Sequence, residues 1–161
     1  MTEADVPYQI VQATLHDLND LSRLEKACFG SDAWPLVELI GVLTLPNKVR
    51  LKAMAGGKMV GFVAGDPQPA QGFAWVTTLC VDAPFRRLGI GRALLRAAEA
   101  SLGMARIRLT VRTGNNPAIR LYSSEGYREI EHLTHYYQDG EDAYVMEKVI
   151  PMPARATQPL P

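Results

Sequence analysis

The stretch LCVDAPFRRLGIGRALLRAAEA, residues 79–100, limits what this chain can fold into more than any other. An apolar strand-like run ends at Val81, a proline-containing connection follows, then a basic glycine turn, and residues 91–102 carry the periodicity of an amphipathic helix. The first amides of a helix have no internal acceptor and lie at the positive end of its dipole. Gly89 and Gly91 let backbone approach a ligand closely, and Arg86, Arg87 and Arg92 add positive charge. The turn therefore suits a phosphate. The spacing excludes two common phosphate sites. A dinucleotide GxGxxG turn needs glycine or alanine where Leu94 stands, and no glycine-lysine pair followed by serine or threonine supplies a Walker A loop.

Around this segment the pattern is mixed. Residues 8–14 alternate as a half-buried strand, Leu15, Leu18, Leu21 and Leu24 have helical spacing, and a second helix is expected from Trp34 to about Leu43, capped by Ser31 or Asp32. Strands are expected at 48–55, 58–65 and 73–81, with Gly56-Gly57 as a tight turn, then at 106–112, 127–137 and 142–149, with a short helix at 116–125. This is an α/β chain of the α+β mixed kind. Residues 1–150 are read as one domain, and 151–161, with four of the eleven prolines, as a disordered tail.

Seventeen basic residues balance seventeen acidic ones, so no global field draws nucleic acid or an anionic membrane. No apolar run reaches the roughly 20 residues of a membrane helix, and the acidic start does not resemble an export signal, so a cytoplasmic location is expected. Cys28 and Cys80 lack a CxxC spacing or histidines at ligand spacing, and are read as reduced, buried thiols. His132 and His135, three apart in an expected strand, would point to opposite faces, and no metal is expected.

The run Arg86-Arg87-Leu88-Gly89-Ile90-Gly91, after a strand and opening a helix, resembles the pyrophosphate-binding motif of the GNAT superfamily. The resemblance continues through Asn115, Leu121-Tyr122 and Gly126-Tyr127, and the segment His135–Met146 is similar to that of RimI-type and related N-terminal α-amine acetyltransferases. It implies the GNAT fold: a central, mostly antiparallel, splayed mixed sheet of about seven strands with about four flanking helices. It also implies acetyl-CoA as co-substrate. Backbone groups of Leu79, Cys80 and Val81 would pair with the pantetheine amides. Amides from Arg87 to Arg92, Ile90 included, would hold the pyrophosphate, with Arg86 and Asn115 beside them. Without the turn that follows it, the strand TTLCV would read simply as a core strand.

Acetyl transfer to an amine needs a neutral nucleophile, a polarised thioester carbonyl and a proton for the departing thiolate. The resemblance gives the proton to Tyr122 and the carbonyl to the amide of Val81. On the acceptor side it points to Trp34, Trp75, Thr77, Thr110 and the pair Tyr136-Tyr137. Relatives carry glutamate or histidine where this chain has Thr110, which cannot accept a proton at neutral pH. A water chain or another carboxylate, with Glu131 and Glu141 as candidates, would then take that role. Three functions stay open: an N-terminal α-amine acetyltransferase acting by direct attack in a ternary complex, a small-molecule amine acetyltransferase, and a non-catalytic acyl-CoA-binding module. The partner is an amine, a protein N-terminus in the first case, and the chain a monomer or homodimer.

Overall fold

The computed structural model describes residues 6–151. Its elements run β1 (Gln9–Gln12), α1 (Leu18–Phe29), α2 (Leu36–Thr44), β2 (Val49–Ala55), β3 (Lys58–Gln68), β4 (Phe73–Val81), α3 (Ile90–Leu102), β5 (Arg106–Arg112), α4 (Asn116–Ser124), β6 (Arg128–Leu133) and β7 (Ala143–Val149). The seven strands form one sheet in the order β1-β2-β3-β4-β5-β7-β6. All neighbours are antiparallel except β4 and β5. The mixed, mostly antiparallel sheet expected from the sequence is present. All but Pro151 of the proline-rich tail lies outside the described residues, and among those described no helix is long and apolar enough to cross a membrane.

Both faces of the sheet are covered. Helix α3 buries Ile90, Leu94, Leu95, Ala98 and Leu102 on one face, together with Leu51, Val63, Val76 and Leu109. Helices α1 and α2 bury Leu21, Leu24, Leu39 and Leu43 on the other, against Phe62 and Ala64. Each fully buried large apolar side chain contributes about 1.5–3 kcal/mol. Residues 59–65 of β3 are buried throughout because this strand has a helix on each side. Gly61 is what lets α3 approach so closely. A Cβ there would lie 2.8 Å from Leu94 Cδ1.

Three local expectations need correction. Helix α2 does not start at Trp34 under a Ser31 or Asp32 cap; residues Gly30–Asp32 form a 3-10 turn, and the helix begins at Leu36 after Pro35. The Pro35 ring disfavours helical backbone at Trp34 before it, and the Asp32 carboxylate is drawn to Arg112 instead. Strand β6 ends at Leu133, not at residue 137. His135 has φ of 51° and its N–H donates to Asp142 Oδ1 at 2.9 Å, which turns the chain before Tyr136 and Tyr137. His135 thus lies outside the strand expected to set the two rings on opposite faces; its backbone N–H meets Asp142, whereas His132 meets the same carboxylate through Nε2 at 2.7 Å. Among the described residues no group of three or more His, Cys, Asp or Glu could hold a metal. Finally, β3 runs on to Gln68, pairing Asp66 with Trp75.

Candidate active site

Two irregularities in β4 create the site. Pairing between β4 and β5 is confined to Ala74 with Ile107 and Trp75 with Arg108, beyond which the strands diverge. Opposite β3, Ala64 pairs with Thr78 but Gly65 with Val76, so Thr77 is an extra residue, a β-bulge. The bulge reverses the facing of the strand. Ala74 and Val76 pack on the α3 side, and so do Leu79 and Val81, while Cys80 packs on the α1 side.

The divergence leaves a cleft of about 850 Å³ floored by Leu79, Cys80 and Val81 and walled by Leu121 and Tyr122 of α4. Asp82 donates its N–H to Val60 O at 2.8 Å, so strand alternation turns the backbone groups of Leu79 and Val81 away from β3, toward the gap. An unpaired strand edge of this kind takes up an extended ligand bearing amides. The Val81 carbonyl already accepts from Arg86 Nε at 3.0 Å.

At the mouth of the cleft stands the N-terminus of α3. Its first side-chain-independent bond is Ala93 N–H to Gly89 O at 3.0 Å, and no side chain caps the amides of Ile90, Gly91 and Arg92. Arg87 and Gly89 both hold positive φ, 64° and 84°, which curls the preceding backbone into a concave turn suited to anions. Gly89 and Gly91 line the cleft; the Ile90 side chain is buried in the core and Leu88 is half-buried, so their part in the turn is played by backbone. The guanidinium of Arg92 is engaged with Glu125, whose carboxyl is held below the usual range by Arg96 and then Arg92. That pair ties α3 to the end of α4.

Tyr122 projects from α4 and is only 8% exposed. Burial pushes its phenol up to about 12, so it stays protonated across the physiological range. Asn115 opens α4: its Oδ1 accepts from Ala118 N–H at 3.3 Å, a capping role that also brings it to the rim of the cleft.

None of the residues expected on the acceptor side, Trp34, Trp75, Thr77, Thr110, Tyr136 and Tyr137, lines this cleft. Trp75 stacks edge-on against Phe73 at 5.8 Å between centroids, and Thr77 is exposed on the bulge. Thr110 lies on β5 opposite Val145 of β7, and Tyr136 meets Tyr137 edge-on at 5.0 Å. Arg112 stacks over the Tyr137 ring at 4.0 Å and bonds to Asp32, to Asp139 at 2.8 Å and to Glu141 at 3.0 Å, joining the α1–α2 loop to the β6–β7 loop. Glu141 is thus occupied by a cation, and Glu131 is exposed on edge strand β6.

Sequence reasoning overlooked Glu25. This α1 carboxylate is 1% exposed, accepts from Thr78 Oγ1 at 3.0 Å and from Trp34 N–H at 3.4 Å, and burial raises its pKa. Its place in the run LEKACF gave no sign of this, since a glutamate on a surface helix is ordinarily solvated.

A splayed sheet whose gap meets an uncapped helix N-terminus suits an extended ligand that carries amides and phosphate. The model of the Acetyltransferase (GNAT) family matches residues 16–127, and this chain belongs to that family as an N-acetyltransferase. It is similar to the N-alpha-acetyltransferase of Sulfolobus acidocaldarius, 31% identical over 88% of this chain and 92% of the relative. It is also similar to the N-alpha-acetyltransferase RimI of Mycobacterium tuberculosis, 34% identical over 92% of this chain and 96% of the relative. Among solved structures, the ribosomal-protein-S18-alanine N-acetyltransferase from Escherichia coli superposes with a TM-score of 0.83 at 27% identity, covering 94% and 99% of the two chains.

Proposed function

We propose that this enzyme transfers the acetyl group of acetyl-CoA to the N-terminal α-amine of a protein or peptide, by direct attack in a ternary complex. The observation that carries it is the convergence of the free β4 edge, the uncapped start of α3 and the neutral Tyr122 phenol on one cleft. Leu79, Cys80 and Val81 are assigned to the pantetheine. The amides from Arg87 to Arg92 take the pyrophosphate, with Arg86 and Asn115 at its sides. The Val81 amide polarises the thioester carbonyl. The amine nitrogen bonds to the acetyl carbon, the carbon–sulfur bond breaks, and the departing sulfur takes the Tyr122 proton.

For the proton lost by the amine we assign Glu25, which does not itself line the cleft, acting through a relay that starts at the Thr78 hydroxyl it holds at 3.0 Å. A buried carboxyl with a raised pKa lies nearer the working pH than an ordinary glutamate, which is what a general base requires. Trp34, Trp75, Thr77, Thr110, Tyr136 and Tyr137 are assigned to the acceptor. The names of the relatives and the Tyr136-Tyr137 pair support a peptide there.

The test is thiol release from acetyl-CoA with a panel of peptides bearing free or blocked N-termini, alongside polyamines and aminoglycosides. Turnover confined to free peptide N-termini is expected. Turnover on the small amines alone overturns the peptide assignment, and tight CoA binding with no turnover on any amine overturns the catalytic one.

A further inference from the structure

Two thiols meet on the floor of the cleft. Cys28, half-buried on α1, and Cys80, 5% exposed on β4, are both unbridged and both line it. Helix α1 packs directly against β4, and Cys28 packs against the buried cluster that contains Cys80. Cys28 Sγ also donates to Val81 O at 3.5 Å and lies 4.0 Å from Arg86 Nη2. The pair is asymmetric. Cys28 faces the open cleft beside a guanidinium, and Cys80 sits behind it in an apolar setting with Phe62 and Leu24.

We propose that Cys28 and Cys80 form a hydroperoxide-reactive dithiol pair, in which Cys28 is oxidised first and Cys80 closes a disulfide that ties α1 to β4. The Cys28 thiolate attacks the peroxide oxygen, the oxygen–oxygen bond breaks, and hydroxide leaves, giving a sulfenic acid as the peroxide is reduced. The Cys80 sulfur then bonds to the Cys28 sulfur. The sulfenic oxygen departs with the Cys80 proton as water.

The environments support this division of labour. The hydrogen bond from Cys80, followed by the bond and charge of Arg86, lowers the Cys28 thiol to about 7 against the pull of burial, whereas Cys80 is raised well above its ordinary value. Cys28 then carries more thiolate at neutral pH than an ordinary thiol does. Cys80 has the opposite character: buried, poorly ionised, and packed in the cluster against which Cys28 lies. The proposal is independent of the cofactor assignment, because no CoA enters the reaction.

The test is peptide mapping by mass spectrometry of the full-length protein, reduced, then treated with a small excess of hydrogen peroxide and alkylated. The expected product is a Cys28–Cys80 linked peptide pair about 2 Da lighter than its two thiol peptides, restored by dithiothreitol. In Cys80→Ser a dimedone adduct accumulates on Cys28, and in Cys28→Ser oxidation of Cys80 slows at least about tenfold. Two fully alkylated, unlinked thiols in the treated wild-type protein overturn the proposal whether or not either variant folds. A dimedone adduct on Cys80 in preference to Cys28 overturns it as well.

Discussion

The Thr78 hydroxyl donates to Glu25 Oε1 across 3.0 Å, tying the strand beside the bulge to helix α1 and fixing a buried carboxylate between them. Glu25→Gln keeps the volume and an acceptor for Thr78 but removes the base, so kcat is expected to fall about 10²-fold while the affinity for acetyl-CoA stays within about twofold. The acid limb of the kcat/KM profile should disappear with it. A variant as active as the wild type would reassign the proton to another group.

The same residue sets a stability trend. Burial raises the folded-state pKa of Glu25 above its ordinary value of 4.5, so the native state holds this proton more tightly than the unfolded chain. The stabilisation from that proton is full below 4.5 and is lost as pH rises through the raised folded value. Subtracting the Tm–pH curve of Glu25→Gln from that of the wild type should give a difference that falls with pH above 4.5.

Tyr122→Phe removes the proton assigned to the thiolate and leaves the ring packed against Tyr127, whose centroid is 5.9 Å away. Steady-state kinetics should show kcat reduced by about 10²-fold with acetyl-CoA affinity retained. Because the phenol is pushed up to about 12, no basic limb from Tyr122 ionisation should appear below about pH 10 in the wild type.

The two turn glycines should separate strain from occupancy. Gly89 has φ of 84° with open space around a Cβ, so Gly89→Ala should cost about 1–2 kcal/mol of stability, read by denaturant unfolding. Gly91 adopts no positive φ, and a Cβ there meets Leu121 and Val81 at 3.6 Å, an ordinary contact. Gly91→Val should retain the fold yet weaken acetyl-CoA at least about tenfold by calorimetry, since its side chain would narrow the cleft beside Val81 and Leu121, next to the amides assigned to the pyrophosphate.

Glu125 should govern the acid side. Its carboxylate is 3% exposed between Arg92 and Arg96, and Arg96 above all holds its pKa below 4.5. The stabilisation is present above 4.5 and is lost as pH falls through the lowered folded value. Glu125→Gln is expected to cost about 2 kcal/mol at neutral pH and almost nothing in acid below that value, measured by urea unfolding at the two conditions.

What the sequence determined on its own was local. The strand-turn-helix at 79–102 was legible because glycine, proline and helical periodicity act within a few residues, and α3 starts at Ile90 next to its predicted position. The same held for β5 at Arg106–Arg112 and for the strand alternation that builds the sheet. Where a local signal met a competing long-range bond, the sequence misled. Asp32, expected as a helix cap, is claimed by Arg112, and the strand expected to reach Tyr137 turns at His135 under the Asp142 carboxylate. Tertiary structure alone decided the chemistry around the cleft. Glu25 meets Thr78, and Cys28 comes to line one cleft with Cys80, only because α1 packs on β4; burial there raises the Glu25 carboxyl, while each thiol is shifted first by the other, and no spacing reveals either effect.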